Sequence, residues 1–270
     1  MPCIKVLLIY VFTLAFACQS FAQIDTDRMD SIESAKKIRK KATAANNAVL
    51  ISPFYTALFP VGELSERFGF SNNVGGNVSL KVKHNWIIGI EGDYLFGSQV
   101  KENPIAPLLT HSTGQLIGND GSLGDIPLEL SGFEIVLRVG KLISFSRKHP
   151  NSGIEISLAP GYMQHKIWIN DNANNFPQLD GDYKKGYDRL TNGAMVGAGL
   201  GYQYLEKRKF LSFYGGLDFA AGFTQEVRNW NFDLMSADKH RRLDMLIGIR
   251  VAWVIPVFTT ISKSTEHYYY

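Results

Sequence analysis

From Val49 onward, apolar and polar residues alternate with a period of two in one segment after another, and no stretch keeps helical spacing for long. In Trp86–Phe96, the residues Trp86, Ile88, Ile90, Tyr94 and Phe96 fall on one face, and Glu91 and Asp93 on the other. Phe133–Val139 separates Phe133, Ile135, Leu137 and Val139 from Glu134 and Arg138. Leu211–Phe219 turns Asp218 to its polar face. Leu243–Ile255 sets Leu243, Met245, Ile247, Ile249, Val251, Trp253 and Ile255 against Asp244, Gly248, Arg250 and Ala252. Successive side chains of a strand point to opposite faces, so this is the pattern of strands with two unlike sides. Eight such segments are expected, near Val49–Phe59, Val74–Lys83, Asn85–Gly97, Ser131–Ile143, Gly153–Ile169, Thr191–Leu205, Phe210–Trp230 and Leu243–Val257. Several exceed the usual globular strand of about 5–6 residues. They are long enough for a tilted strand to cross a bilayer, which takes about 9–11 residues.

The connections alternate in length. Lys83–Asn85, Ser144–Ser152 and Glu206–Lys209 are short, whereas Pro60–Asn73, Ser98–Leu130, Asn170–Leu190 and Asn231–Arg242 are long. Short turns on one rim and long loops on the other are the layout of outer-membrane barrels. The expected fold is therefore all-β: an eight-stranded antiparallel up-and-down transmembrane β-barrel over residues 49–258. An even strand number leaves both termini on the short-turn side, the periplasm in that layout. A soluble barrel of the lipocalin type would turn its large apolar residues inward. Here one face is bulky and apolar while the other mixes charge with glycine, too polar and too small for a dry core. The bulky face is expected to meet lipid, with Tyr94, Phe96, Tyr162, Tyr202, Tyr204, Phe223 and Trp253 near the strand ends as aromatic girdles.

Composition narrows this picture without changing it. The 270 residues are 45% apolar, 20% charged and 12% aromatic, which excludes a disordered chain. A net charge of +3 gives no reason to invoke nucleic acid. A mean hydropathy of −0.06 excludes a bundle of membrane helices and leaves a membrane barrel open. Residues 1–22 read as a signal peptide: Lys5, an apolar run over Val6–Cys18 broken only by Thr13, and Ser20-Phe21-Ala22 before a cleavage point. Cleavage there removes Cys3 and Cys18, the only cysteines; lipidation at Cys18 is the alternative. Residues 23–48 form a polar arm with Asp25, Asp27, Asp30 and Glu33 ahead of Lys36, Lys37, Arg39, Lys40 and Lys41. That order suits a helix dipole near Asp30–Ala44, a solvated tail being the simpler reading. As a periplasmic arm it would dock on a partner or an anionic surface.

The alternation turns Lys81, Glu91, Asp93, Glu134, Arg138, Glu155, His165, Asp218, Asp244 and Arg250 inward. Buried charges persist when paired or hydrogen-bonded, so a salt-bridge network is expected to plug the lumen. Gly89, Gly140, Gly161, Gly197, Gly199, Gly216 and Gly248 would leave room for the long side chains. A structural network is preferred to an ion path because an eight-stranded lumen is narrow. Candidate chemistry is sparse. His111-Ser112-Thr113 and His240 lie in loops without evident partners, and neither a GxSxG nor an HExxH motif occurs. No catalytic, cofactor-binding or metal-binding residue is assigned. Asp171, Asn172, Asn174, Asn175, Asp180 and Asp182 suit Asx turns better than a Ca²⁺ loop. Lys184, Lys185, Arg189, Arg228, Lys239, Arg241 and Arg242 are placed to meet lipopolysaccharide phosphates.

Several stretches carry a resemblance: Phe21-Ala22-Gln23, the loop Gly62-Glu63-Leu64-Ser65-Glu66-Arg67-Phe68-Gly69, the run from Lys185 to Gly193, and the aromatic terminus Tyr268-Tyr269-Tyr270. With these the chain resembles the small eight-stranded outer-membrane β-barrel proteins of Bacteroidetes-type bacteria, the outer membrane protein β-barrel domain family. The resemblance covers the whole chain and is specific for architecture. It implies insertion by the outer-membrane assembly machinery, which reads a C-terminal aromatic, contact with outer-membrane lipid, and for some members a place in secretion, gliding or surface assembly. Pro256 and the polar stretch Thr259–Glu266 set residues 259–270 apart as a tail. The expected function is that of a non-enzymatic, porin-like outer-membrane protein, structural or a subunit of an envelope complex. A lipid-modifying enzyme and a narrow channel are the alternatives.

Overall fold

The computed structural model describes residues 48–145, 151–171, 175–205 and 212–258. The signal segment, the arm up to residue 47 and the tail 259–270 lie outside the described residues. Eight antiparallel strands close into a barrel: β1 (Ala48–Gly62), β2 (Ser71–Val82), β3 (Trp86–Gly97), β4 (Leu128–Ile143), β5 (Gly153–Ile169), β6 (Thr191–Tyr204), β7 (Phe213–Glu226) and β8 (Arg241–Trp253). After a break at Val254, β8 resumes over Ile255–Phe258. Each strand pairs with its neighbours in the chain, and β8 closes on β1 from Gly62↔Asp244 to Phe54↔Ala252. The last stretch continues along β1 from Ile51↔Ile255 to Ala48↔Phe258, so both described ends of the barrel lie on the short-turn rim.

Three strands begin three residues away from where the alternation suggests, the others within two. β2 starts at Ser71 rather than Val74, β4 at Leu128 rather than Ser131, and β7 at Phe213 rather than Phe210. The reason is clearest in β2. Ser71 and Asn73 have turn-like side chains, yet both point inward and are buried opposite β1. Turn propensity thus yields to the hydrogen-bonded ladder.

The faces follow the pleat. Along β3 the outward residues Trp86, Ile88, Ile90 and Tyr94 are exposed, Ile90 by 65%, while Ile87, Glu91, Asp93 and Leu95 are buried. The inward face is less uniformly polar than expected. At the short-turn end the lumen is filled by Ala48, Leu50, Ile87, Leu142, Leu205 and Val254. In the long-loop half Leu58, Leu95, Val136, Met163, Met195 and Leu246 pack together. The expectation of an interior without a dry core is therefore corrected. Charge occupies the middle of the lumen, between two apolar layers. An eight-stranded barrel is only wide enough to be filled by side chains, and here both kinds fill it.

The upper layer is completed by a loop. Gly62, at φ +63°, turns the chain from β1 into a short helix, α1 (Glu63–Arg67). Glu63 and Glu66 at its start and Arg67 at its end match its dipole. Leu64 and Phe68 are buried in the upper layer, with the Phe68 ring edge-on to His165 at 5.8 Å. Loops 98–127 and 170–190 add a further apolar cluster of Ile105, Leu116, Ile169, Phe176, Leu179 and Tyr187. Truncating a fully buried Phe costs about 3–5 kcal/mol. Phe68→Ala is therefore expected to lower unfolding stability by about that amount in a denaturant titration followed by tryptophan fluorescence.

Candidate functional site in the lumen and at the mouth

The charged layer is built around two arginines. Arg138 of β4 donates from Nε to Glu91 Oε2 at 2.8 Å and from Nη2 to Glu91 Oε1 at 3.0 Å. Its Nη1 donates to Ser157 Oγ at 2.9 Å, and its Nη2 lies 3.4 Å from Asp218 Oδ2. Arg250 of β8 reaches the same two carboxylates, Glu91 Oε1 at 2.8 Å and Asp218 Oδ2 at 2.5 Å, and its guanidinium lies 4.0 Å from the Phe54 ring centroid. Glu91, Arg138, Asp218 and Arg250 thus form a closed quartet across the lumen from β3, β4, β7 and β8. In the β3–β4 register Arg138 stands opposite Gly89 and reaches Glu91 diagonally. Gly199 opens the space on the other side: a Cβ there would lie within 3 Å of Arg138 Nη1, Asp218 Oδ1 and Ser157 Oγ.

The other inward residues divide into separate sites. Lys81 donates to Asn151 Oδ1 at 2.6 Å near the short-turn rim. Asp93 accepts from Asn73 Nδ2 at 3.2 Å. Glu155 lines a cavity of about 50 Å³ on the short-turn side of the quartet, with Ser52, Gln203 and Tyr214. Glu134 lines a second cavity, of about 30 Å³, on the long-loop side. His165 and Asp244 form a separate pair, with Nε2 2.9 Å from Asp244 Oδ2, and the Thr224 hydroxyl donates to that same oxygen at 2.5 Å. The expected single network is therefore resolved into a quartet and local pairs, because the barrel's register brings only four of the ten residues within ionic reach of one another.

The His165 arrangement has the composition of a catalytic triad without its geometry. The hydroxyl donates to the carboxylate and not to the imidazole, and the His165 ring is fully buried between Asp244 and Phe68. A nucleophile needs its base within hydrogen-bond reach. His111, Ser112 and His240 are exposed on loops.

A second charged assembly, at the mouth, escaped the sequence analysis. Arg67 Nε meets Glu102 Oε2 at 2.8 Å, Arg189 Nε meets Glu102 Oε1 at 3.1 Å, and Arg189 Nη2 meets Asp233 Oδ2 at 2.6 Å. Each of the four long loops contributes one charge to this alternating chain. Backbone bonds strengthen it: Gly69 N to Gln99 O at 2.7 Å and Lys101 N to Arg67 O at 2.8 Å strap α1 to the segment leaving β3. Arg228 binds Asp188 through two hydrogen bonds, and Arg242 pairs with Asp238. Arg189, Arg228 and Arg242 are thus engaged by carboxylates of the chain itself and do not stand free as expected. Lys185, although exposed, pairs with Asp182 at 2.5 Å; Lys239 and Arg241 are exposed, and Lys184 is half-buried. Only the individual cations were visible in the sequence, since the partners of Arg67, Arg189 and Arg228 lie in other loops.

The Asx-rich loop also makes turns and ties. Asn172 and Asn174 fall outside the described residues. Asn175 Nδ2 donates to Asp120 Oδ1 at 3.1 Å, linking loop 170–190 to loop 98–127. Hydrogen bonds from the Ser122 hydroxyl and amide and from Asn175 hold the Asp120 carboxyl down at about 2.

No family model matches the chain, and no curated protein matches it. Among solved structures it is similar to the attachment invasion locus protein Ail of Yersinia pestis, at 7% identity and a TM-score of 0.38, over 78% of this chain and 98% of that one. It is also similar to Neisserial surface protein A, at 8% identity and a TM-score of 0.40, over 78% and 97% of the two chains. The N-terminal β-barrel domain of Pseudomonas aeruginosa OprF matches at 10% identity and a TM-score of 0.32, over 78% and 99%. At these identities the likeness concerns the fold alone.

Removing one partner of a buried ion pair leaves the others uncompensated and costs about 3–5 kcal/mol. Arg138→Ala is expected to destabilise the barrel by that amount, whereas the double change Arg138→Met with Glu91→Met recovers much of the loss. Unfolding in urea of the chain held in lipid vesicles measures both. The Asp120 tie has its own pH signature. Its folded pKa lies below the ordinary 3.8, so the tie is fully present above that pH and is released as pH falls through about 2. The Asn175 side-chain amide resonances are expected to follow that titration in NMR spectra, and an unshifted midpoint near 3.8 would contradict it.

Proposed function

We propose that the chain is an integral outer-membrane β-barrel protein, non-enzymatic, acting structurally or as a subunit of an envelope, secretion or surface-assembly complex. One observation carries this reading: the outward face of the eight strands is a belt of large apolar side chains, while the charged side chains midway along the strands turn into the barrel. Ile90, Leu158, Leu217 and Ile249 are all more than half exposed in the middle of their strands. A water-soluble protein rarely presents so large an apolar surface, and a bilayer requires it.

The rims support the same reading. Lys141 lies 4.7 Å from the Trp86 ring near the short-turn end, and Lys166 lies 4.9 Å from the Trp168 ring near the long-loop end. Trp86 is opposite Lys141 and Trp168 opposite Glu129, so the segment Glu129–Lys141 measures the distance between the rims. At ~3.4 Å per residue and a tilt of ~40°, it spans roughly 30 Å along the barrel axis. That matches a hydrocarbon core of about 30 Å bounded by aromatic and basic anchors. In this orientation residues 1–22 direct export and residues 23–47 and 259–270 lie in the periplasm. The long loops then face outward, and the exposed Lys239 and Arg241 meet lipopolysaccharide phosphates.

The subunit role rests on the loops. The ion chain at the mouth stiffens them into a platform, from which Tyr183, Trp230, Leu234 and Met235 project into solvent. Exposed aromatic and aliphatic side chains on a rigid base suit a protein partner.

Expression of the full chain in a Gram-negative host is expected to place it in the outer-membrane fraction, migrating on gels according to whether it was heated. A soluble product in the periplasm would sink the reading. Ile90→Arg should cost about 2–4 kcal/mol in vesicles, as a cation does near the bilayer midplane. Purification in mild detergent is expected to retain a stable envelope partner. Recovery of the barrel alone would leave the structural role.

A further inference from the structure

We propose that the cavity of about 30 Å³ on the long-loop side of the quartet binds a monovalent cation of sodium or potassium size, held by oxygens of Thr56, Asn73, Glu134 and Asp218. All four residues line this cavity. Thr56 Oγ1, Asn73 Oδ1, Glu134 Oε1 and Asp218 Oδ1 are buried and have no hydrogen-bond partner within the described protein. Thr56, Asn73 and Glu134 are 1%, 3% and 7% exposed, so bulk water does not serve them. Buried polar atoms are almost always satisfied, and four orphans around one small space call for an occupant.

The orphans are alike in kind. A carboxylate and an amide carbonyl oxygen can only accept, and among the four only the Thr56 hydroxyl has a proton to give. Most of the nearest donors are already used; Arg250 Nε, in ionic contact with Asp218 Oδ2 at 2.5 Å, makes no well-formed hydrogen bond. Asn73 Nδ2 donates to Asp93, and the two guanidiniums are taken up by Glu91, Asp218 and Ser157. The unpartnered oxygens facing the cavity are therefore acceptors in surplus over the donors left to serve them, although Arg138 and Arg250 stand in its wall.

The charge balance points the same way. Glu91, Asp93, Glu134, Glu155 and Asp218 are inward carboxylates in the middle layer, against Arg138 and Arg250. Asp93 and Glu134 stand directly opposite each other in the β3–β4 register, where like charges repel. The acidic surplus thus falls beside this cavity.

The oxygen set also limits which cation fits. Ca²⁺ takes 6–8 oxygen ligands rich in carboxylate, and Mg²⁺ demands a near-ideal octahedron. Among the described residues no three His, Cys, Asp or Glu side chains converge as a metal-holding group. Two of the four oxygens are neutral, and Arg138 and Arg250 line the same wall. A single positive charge meets these conditions. A site of this volume has room for about two water-sized occupants, so an ion with one water fills it.

The test uses the mature barrel in detergent, in N-methylglucamine chloride, with NaCl, KCl or CaCl₂ exchanged in at constant ionic strength and pH. Sodium or potassium is expected to raise the thermal midpoint saturably above the N-methylglucamine value. Glu134→Gln should abolish that rise, and Thr56→Val should weaken the apparent affinity at least fivefold. Equal midpoints in all salts overturn the proposal, as does a response confined to calcium or one that Glu134→Gln retains. A midpoint that follows pH but ignores the identity of the cation also overturns it, in favour of a proton shared by Asp93 and Glu134. If Glu134→Gln does not fold, Thr56→Val decides alone, an unchanged affinity counting against the site. Crystals grown in RbCl provide the direct reading: an anomalous peak between these oxygens supports the site, and a cavity without one refutes it.

Discussion

Two guanidiniums shared between two carboxylates join four strands across the inside of this barrel, and much of the rest is arranged around that junction. A charge in so narrow a space has little access to water, so its partner must be another inward side chain, on the neighbouring strand or across the lumen. The partners are therefore spread over β3, β4, β7 and β8, and the residues beside them are small. Gly199, where a Cβ would meet Arg138 Nη1, leaves the arginine the room it needs to bridge, and Gly89, opposite Arg138, is held close to Ser79 of β2. The apolar layers above and below keep water from competing for these bonds, and the pairs are stronger for it.

The mouth repeats this design with different materials. There the chain runs through loops, whose backbones have no ladder to fix them. Order comes from Leu64 and Phe68 seated in the upper layer, and from a line of opposite charges passing through Arg67, Glu102, Arg189 and Asp233. Ion pairs at an exposed surface contribute little. These are mostly buried, with Arg189 only 4% exposed, and they work as a set. The result is a closed cap on a filled barrel.

The sequence displayed the strands because the pleat imposes a period of two that survives in the composition of each face. It displayed the inward charges for the same reason: Glu91, Glu134, Arg138 and Asp218 stand at the alternating positions. It did not display who pairs with whom. That depends on the stagger between strands, which sets Arg138 opposite Gly89 and Asp93 opposite Glu134. The start of β2 was hidden because Ser71 and Asn73 look like turn residues until β1 pairs with them. The apolar filling was hidden because Ile87, Leu95 and Met163 share a face with the charges, and alternation alone does not tell a lumen from a lipid surface where both faces are greasy. The ion chain at the mouth was hidden most completely, since its members come from four loops and no local spacing links them.

That chain has an evolutionary consequence. In most barrels loops are free to lengthen, shorten or drift independently, because only the strands beneath them are held. Here a change of charge in one loop strands a counter-charge in another, so the four must be inherited together or altered together. Diversity should collect at the exposed tip residues Tyr183, Trp230, Leu234 and Met235, which take no part in that chain. The outer face of this protein is thus divided into a constant frame and a variable fringe.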